Sequence, residues 1–184
     1  RMAFERHATS KIASAQDLFS INTLGFRGEA LPSIASVAEV ELKTRRAEDE
    51  LGTCIFIAAS ELKKQEAISM PAGTNISVKN LFYNIPARRK FLKSDTTELR
   101  NVINEFLRVA LTNPEISFSL SNNGNELYNL PVSVLRQRIV NVFGKGINAK
   151  LINVDCETGL VKIKGFICHP QHAKKTYGEQ YFFV

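Results

Sequence analysis

The stretch TLGFRGEAL, residues 23 to 31, decides how the chain is interpreted. Gly25 and Gly28 flank a phenylalanine and an arginine, and glycine permits positive φ and a close approach of the backbone to a ligand. Such a loop can point peptide N–H groups at an anion. We therefore expect an anion-binding loop whose natural ligand is phosphate. The alternative is an ordinary glycine turn with a surface arginine.

A helix is predicted directly after this loop, in EALPSIASVA, residues 29 to 38. Its amino end would face the same ligand, where the helix dipole favours an anion.

The composition limits the class of protein. The 184 residues suffice for one large or two small domains. Lysine and arginine number 24 against 18 acidic residues, a net charge of +6 that favours polyanionic partners. The three widely spaced cysteines argue against a disulfide framework. No apolar run approaches the roughly 20 residues that span a bilayer, and no signal peptide opens the chain. We expect a cytoplasmic protein, nucleoid-associated if bacterial.

Both ends of the chain indicate a fragment. It begins with Arg1 in place of an initiator methionine and stops at QYFFV, inside a predicted buried strand.

Three segments alternate apolar and polar residues and are separated by turn residues: VAEVELKTR (37–45), GTCIFIAAS (52–60) and TNISVKNLF (74–82). This pattern predicts three strands of an antiparallel meander.

A long amphipathic helix is predicted in the next segment. Asp95 and Glu98 have the spacing of a capping box, and Pro114 ends the helix. Its predicted apolar face consists of Leu99, Val102, Ile103, Phe106, Leu107 and Ala110.

A hairpin follows in ISFSLSNNGNELYNL, residues 116 to 130, with its turn at NNGN and with Leu127 and Leu130 on the returning strand. The pattern restarts after Pro131 with a short helix ending at Gly144 and a strand pair turned at ETG. We therefore predict a domain boundary near residue 130, with domains at 1–130 and 131–184.

Three further motifs carry possible chemistry. Thr9, Ser10 and Lys11 place two hydroxyls and an ammonium side by side, which suits phosphate oxygens or a helix-capping loop. Gly73 and Thr74 begin a strand beside a ligand or simply form a turn entering that strand. A basic group interleaved with aromatic residues suits nucleic-acid contacts or a braced domain junction. It comprises Arg88, Arg89, Lys90 and Lys93 among Phe82, Tyr83 and Phe91.

Other site classes find little support. The chain has no G-x-x-x-x-G-K-[ST] loop, no G-x-G-x-x-G, and no pattern that links a histidine to a serine or cysteine nucleophile. CHPQH, residues 168 to 172, supplies at most three metal ligands without the paired spacing of structural zinc, so a strand end and turn are expected there.

RHATSKI, LGFRGEALPSI and GTNISVKNLFYNIPARRKFLK, in this order and at these separations, resemble the MutL family of DNA mismatch repair proteins. A lone G-x-R-G would indicate only the wider GHKL group of ATPases. The resemblance implies an α+β fold: the later part of a Bergerat-type GHKL ATP-binding domain, with helices over a mixed sheet in a two-layer sandwich, and then the start of a ribosomal-protein-S5-like domain.

The resemblance also implies the site residues. Thr9, Ser10 and Lys11 fall in a mobile segment that closes over ATP. Gly25, Phe26, Arg27 and Gly28 fall in the loop around the triphosphate, and Thr74 falls on the strand bordering the adenine pocket. Glu29 is assigned to the helix start rather than to catalysis.

The same resemblance assigns no catalytic and no metal-binding residue to this chain. The general-base glutamate, the Mg²⁺-binding asparagine and the adenine-reading aspartate of such ATPases precede RHATSKI. We expect the parent protein to be a slow ATPase that uses ATP and Mg²⁺, and the fragment alone to be inactive.

The implied function of the parent is that of an ATP-dependent homodimeric clamp on DNA and a matchmaker between a mismatch-recognition protein and a downstream helicase or nuclease, without a membrane role. Two alternatives stay open: a non-catalytic DNA-binding module, and a gyrase-type or chaperone member of the same ATPase group.

Overall fold

The computed structural model describes residues 1–173 and 179–183, which fold into two compact units, Arg1–Leu92 and Lys93–Val184. The predicted boundary near residue 130 falls inside the second unit and stays a prediction.

The first unit is a helix on a four-stranded sheet. Helix α1 (Ala30–Val37) is followed by β1 (Glu39–Arg45), β2 (Gly52–Ala58), β3 (Glu61–Ile68) and β4 (Gly73–Lys79), with short 3₁₀ helices at Met2–Phe4 and Ala15–Ser20 before them and a short α2 (Pro86–Lys90) after them. The core lies between α1 and the sheet and consists of Ala35, Val40, Ile55 and Ile57, with Phe4 and Ile34 packed against it.

The sheet is antiparallel with strand order β3-β2-β1-β4, so it corrects the predicted meander in two ways. Strand β3 was not predicted because its sequence, ELKKQEAI, is almost entirely exposed and has no apolar alternation. Charged residues of this kind are typical of an edge strand, which they protect from pairing with other chains. β4 pairs with β1 rather than with its predecessor in sequence.

Helix α1 is held at its carboxyl end by backbone donors from distant loops. Ser60 N–H donates to Ala35 O at 3.0 Å, and Phe82 N–H donates to Val37 O at 2.7 Å. The side chain of Asn84 donates to Ser36 O at 2.9 Å. These bonds satisfy carbonyls that have no partner within the helix, and they fix where its amino end points.

The second unit contains α3 (Asp95–Thr112), the hairpin of β5 (Phe118–Asn122) and β6 (Asn125–Leu130), α4 (Leu135–Phe143), a 3₁₀ helix at Lys145–Lys150, the hairpin of β7 (Leu151–Glu157) and β8 (Lys162–Cys168), and a 3₁₀ turn at Pro170–His172. The described sheets are all antiparallel, so the expected mixed sheet is not seen in residues 1–173 and 179–183. The α+β class is confirmed.

The predicted cap of α3 is shifted by one residue. Ser94, in an extended conformation, is the N-cap, and Glu98 accepts a hydrogen bond from Lys93 N–H at 2.9 Å. The buried face is shifted as well, since Val102 is 52% exposed while Leu111 is buried beside Leu107.

The β5–β6 hairpin is confirmed, including its turn, where Asn123 and Gly124 both have positive φ. Such a two-residue turn matches the twist of the two strands. A bulge after Leu120 makes Tyr128 the residue opposite it, so Leu127 is exposed and only Leu130 is buried as expected.

Arg138 on α4 is fully buried, which the apolar pattern did not predict. Its Nη2 donates to Pro114 O, Ile116 O and Pro131 O at 2.9, 2.6 and 3.1 Å. Its guanidinium also lies 5.5 Å from the ring centre of Phe118. Burial lowers the pKa of this side chain, and the nearby Glu115 acts in the opposite direction. Arg138 therefore ties α4 to the loops on either side of the β5–β6 hairpin.

The expected strand at the carboxyl end is not seen in the described part. Residues 179 to 183 form no regular structure, and Phe182 is 91% exposed. Val184 and residues 174–178 lie outside the described residues.

Candidate functional site

An open cleft of about 580 Å³ lies at the amino end of α1. Two separate segments form most of its wall, residues 8–11 and 24–32, together with Ala3. Seven of the eight predicted binding residues line it: Thr9, Ser10, Lys11, Gly25, Phe26, Arg27 and Gly28. The two motifs that suit phosphate are thus brought together in one cleft, although 13 residues separate them in sequence.

Gly28 joins the two walls. Its φ is +64°, and a Cβ at this position would lie 2.7 Å from the carbonyl carbon of Ala8 and closer still to the carbonyl oxygen. The Gly28 carbonyl also accepts a hydrogen bond from His7 N–H at 3.2 Å. Only glycine fits here, because the conformation and the close contact both exclude a side chain.

Gly25 differs from Gly28. Its φ lies outside the left-handed region, and a Cβ would meet nothing within 4 Å. The positive φ that glycine permits is therefore not used at Gly25, and the lack of a side chain there leaves open space at the cleft wall.

The Thr9–Lys11 segment forms a tight turn rather than a helix cap. Thr9 Oγ1 accepts a hydrogen bond from Lys11 N–H at 3.2 Å. The 3₁₀ helix that follows is started by Ser14 and Asp17 instead. Asp17 Oδ2 accepts from Ala13 N–H at 2.8 Å and from Ser14 N–H at 2.9 Å, and these donors hold the pKa of the carboxyl below its ordinary value.

The cleft carries two cationic side chains, those of Lys11 and Arg27. Within residues 1–173 and 179–183, neither Lys11 nor Arg27 forms an ion pair. The Arg27 guanidinium lies 5.5 Å from the centre of the Phe26 ring, which limits where it points. Together with the amino end of α1 these charges favour an anionic ligand.

Glu29 is the N-cap residue of α1, but its side chain does not cap the helix. Its side chain makes no hydrogen bond to the helix's own N–H groups, and its Oε1 lies 3.2 Å from Nδ1 of His7. The sequence predicted Glu29 at the helix start, which is confirmed, but not its pairing with His7. No single-sequence signal indicates that these residues meet.

Thr74 is the one predicted binding residue that does not line the cleft. It lies on edge strand β4, directly opposite Thr44 of β1, and the two hydroxyl oxygens are 2.8 Å apart. Thr44 Oγ1 also donates to Gly73 O at 3.3 Å. Thr44 was not predicted, since its relation to Thr74 depends on the β1–β4 pairing.

The basic group predicted for nucleic acid is exposed. Arg88, Arg89 and Lys90 lie on α2 with none of their residues buried, and Phe91 is 79% exposed. Lys93 is exposed as well.

Other site chemistries are not supported by the described residues. Among residues 1–173 and 179–183, no three or more His, Cys, Asp or Glu side chains come close enough together to hold a metal ion. The three cysteines are free, with Cys54 buried. None of the helices in the described part has the length and apolar character needed to cross a bilayer.

The fold matches known structures. The Aquifex aeolicus MutL ATPase domain complexed with ADP superposes with a TM-score of 0.70 at 32% identity, over 88% of this chain and 62% of that one. Another structure, of the N-terminal domain of a DNA repair protein, gives a TM-score of 0.65 at 25% identity. The chain therefore has the fold of a GHKL-type ATPase domain.

Sequence comparison narrows this class. DNA mismatch repair protein MutL of Bacteroides fragilis is 58% identical, and that of Christiangramia forsetii 60% identical, over all 184 residues. The chain belongs to the MutL family, and it spans about 30% of the length of these curated relatives. No protein-family profile matches the chain.

Proposed function

We propose that this chain is part of a MutL-type mismatch repair ATPase, and that the cleft between residues 8–11 and 24–32 binds the phosphates of ATP. The observation that carries the proposal is the convergence of the two motifs and two unpaired cations at the amino end of one helix. The ADP complex of the Aquifex aeolicus relative supports the choice of ligand.

Each residue has a role in this proposal. Thr9, Ser10 and Lys11 donate from one wall, and Gly25, Phe26 and Arg27 form the other, where the backbone approaches the phosphates closely. Gly28 joins the walls. Thr74 lies outside the cleft on β4 and borders the adenine pocket.

The chain's own residues fit ATP in part. The cleft supplies cationic and hydroxyl donors, and its one carboxylate is that of Glu29. The described residues contain no cluster of three or more His, Cys, Asp or Glu that could hold a metal ion. The resemblance assigns the general base, the Mg²⁺ ligand and the adenine-reading aspartate to residues that precede RHATSKI. We propose that the fragment alone neither binds ATP tightly nor hydrolyses it, and that the parent hydrolyses ATP slowly.

In the parent protein, ATP binding controls whether the dimer closes, and DNA is the ligand that the closed dimer encircles. Two amino-terminal regions pair when nucleotide is bound, and the closed dimer encircles DNA while a mismatch-recognition protein and a strand-removal enzyme are brought together. Nucleotide shifts the population of the closed state because it binds that state more tightly. Residues 131 onward begin the S5-like second domain of this assembly.

A non-catalytic DNA-binding module is the second candidate, favoured by the exposed basic residues on α2. Binding of this kind is driven by phosphate contacts, weakens steeply with salt and is indifferent to ATP. A topologically closed clamp instead requires nucleotide and depends on whether the DNA has ends.

The test uses the full-length gene product and a plasmid, either circular or linearised. With Mg²⁺ and a non-hydrolysable ATP analogue, the clamp predicts complexes that survive a high-salt wash on circular DNA and are lost from linear DNA. Equal retention on both DNAs, with and without the analogue, contradicts the clamp and favours the module.

Two sets of variants distinguish the nucleotide-dependent clamp from the DNA-binding module. Arg27→Ala should abolish salt-resistant retention while low-salt binding persists. Substitution of Arg88, Arg89 and Lys90 together by alanine should weaken low-salt binding and leave analogue binding intact. Complementation of a mismatch-repair-deficient mutator strain by the full gene excludes a gyrase-type or chaperone member of the group.

A further inference from the structure

We propose that His7, Ala8, Gly28 and Glu29 form a clasp that holds the two ends of the phosphate-binding segment together, and that His7 and Glu29 are positioning residues for nucleotide binding. This inference rests on the proposed function of the cleft. The clasp consists of three contacts between the same two pairs of neighbouring residues.

Two of the contacts involve the backbone. His7 N–H donates to Gly28 O at 3.2 Å, and the Cα of Gly28 packs on the peptide group of Ala8 so closely that no Cβ fits. The third contact joins side chains, with His7 Nδ1 3.2 Å from Glu29 Oε1. All three lie directly before Thr9 and directly after Arg27.

His7 has a backbone conformation that indicates a specific constraint. Its φ is +63°, in the left-handed region that residues other than glycine rarely occupy. Such outliers persist where the surrounding structure imposes them, and they concentrate at ligand sites. Here the left-handed turn at His7 brings its N–H to Gly28 and its imidazole to Glu29.

The clasp has a physical consequence for the segment between its ends. Bringing two ends of a flexible loop together costs conformational entropy, and this cost is met by the clasp before a ligand arrives. The donors of Thr9–Lys11 and of Gly25–Arg27 therefore already face one cleft. Preorganisation of this kind strengthens binding without a new contact to the ligand.

The side chain of Glu29 is available for the clasp, since at the helix start only the Glu29 carbonyl takes part, accepting from Ser33 N–H at 3.0 Å. The side chain makes no cap hydrogen bond, and no carboxylate other than that of Glu29 pairs with His7 within residues 1–173 and 179–183. His7 and Glu29 are partly exposed, with 75% and 48% of their side chains accessible. Contacts at this exposure are weak, so the expected effect on nucleotide affinity is about two- to five-fold.

The test uses the full-length gene product with a fluorescent, non-hydrolysable ATP analogue and Mg²⁺. His7→Gly removes the imidazole but accepts positive φ without strain. His7→Asn also tolerates positive φ and keeps a side-chain N–H donor, so it is the conservative rescue. Glu29→Ala removes the side-chain partner of His7. The double variant, His7→Gly with Glu29→Ala, completes a double-mutant cycle. Glu105→Ala, which breaks an exposed ion pair with Arg108 on α3, is the control.

Two readouts are measured. His7→Gly and Glu29→Ala should each raise the analogue Kd about two- to five-fold. The double variant should lose no more affinity than either single variant, and His7→Asn should restore the Kd of the unmodified protein. Hydrogen exchange of the backbone amides of residues 8–11, without nucleotide, should be faster in the single variants and normal in His7→Asn and Glu105→Ala.

The outcomes separate the two proposals. If the unmodified protein binds the analogue and the variants bind it equally well, or if the two single losses simply add, the clasp is refuted and the proposed function stands. If exchange at residues 8–11 is unchanged, the clasp is refuted as well. If the unmodified protein fails to bind the analogue, the proposed function falls, and the role of the clasp in nucleotide binding falls with it.

Discussion

Gly28 and Ala8 are in such close contact that position 28 has no room for a methyl group, since a Cβ there would lie 2.7 Å from the carbonyl carbon of Ala8. The positive φ of Gly28 adds a second penalty. We predict that Gly28→Ala lowers the free energy of unfolding by about 1–3 kcal/mol and displaces the Thr9–Lys11 wall. Denaturant unfolding of the full-length protein measures the first effect and ATP-analogue binding the second.

Gly146→Ala is the matched control, because its Cβ would meet nothing within 4 Å and its φ is not left-handed. Its effect should stay within about 0.5 kcal/mol. Gly25→Ala should be equally mild for stability and should weaken only nucleotide binding. A stability loss at Gly25 as large as at Gly28 would contradict the geometry described for the loop.

Arg138→Met should destabilise the protein strongly. The substitution leaves the carbonyls of Pro114, Ile116 and Pro131 without their charged donor. Hydrogen bonds to a charged group contribute more than neutral ones, so we expect a loss of about 2–3 kcal/mol in urea unfolding. Arg136→Met on the same helix, which breaks exposed bonds to Asn148 and a cation–π contact with the Phe166 ring at 5.7 Å, should cost less than about 1 kcal/mol. Equal effects at both positions would show that the buried guanidinium has no special role.

Asp17 should make the start of its 3₁₀ helix sensitive to acid. Its pKa is lowered from the ordinary value of 3.8 by the N–H groups of Ala13 and Ser14. A lowered folded-state pKa means that the carboxylate stabilises the fold above pH 3.8, and that this contribution is lost as the pH falls through the lower folded value.

The measurement is amide hydrogen exchange of Ala13 and Ser14, expressed as protection factors. Protection should be constant from pH 6 down to about 4 and should decline below it. Asp17→Ala should show low protection at every pH. Identical pH profiles in the two proteins would mean that other groups control this turn.

Thr44 should sharpen the discrimination between adenine and guanine nucleotides. Thr44 Oγ1 lies 3.3 Å from Gly73 O and 2.8 Å from Thr74 Oγ1, and in the second contact either hydroxyl can be the donor. We expect the arrangement in which Thr44 donates to Gly73 O and accepts from Thr74. Thr74 is then left with only acceptor lone pairs for a ligand, which suits a donor such as the adenine amino group.

Thr44→Val removes this relay while keeping a β-branched side chain. We expect the preference for an ATP analogue over a GTP analogue to fall about five-fold, which is the effect of one hydrogen bond. Thr53→Val, on the other neighbour of β1, is the control and should leave the ratio unchanged. If Thr44→Val leaves the preference for the ATP analogue over the GTP analogue unchanged, the hydrogen bond between Thr44 and Thr74 has no part in base recognition.

Local sequence signals predicted those secondary-structure elements that neighbouring residues in the sequence determine. The hairpin at Asn123–Gly124 follows from two residues that tolerate positive φ, and α1 follows from the apolar spacing after the glycine loop. Strand β3 could not be found this way because an edge strand buries nothing, and alternation records only burial.

Features that depend on tertiary contacts were not predicted, because local sequence patterns do not record which segments meet in the fold. A buried Arg138 breaks the apolar pattern of α4, and nothing in the chain indicates the three carbonyls that it meets. In the site, Thr9–Lys11 and Gly25–Gly28 could be chosen from residue type and resemblance. The contact of Gly28 with Ala8, the pairing of His7 with Glu29 and the partner of Thr74 arise only when the segments are folded together.

The most direct test of the central claim is calorimetric titration of the full-length protein with an ATP analogue and Mg²⁺, comparing the unmodified protein with Arg27→Ala and with Arg100→Ala, an exposed arginine on α3. If the cleft binds the phosphates, Arg27→Ala weakens binding about ten-fold or more while Arg100→Ala leaves it unchanged, since charge-assisted bonds to a phosphate contribute about 1.5–3 kcal/mol. If Arg27→Ala binds as tightly as the unmodified protein, TLGFRGEAL is a structural turn and the phosphate site lies elsewhere.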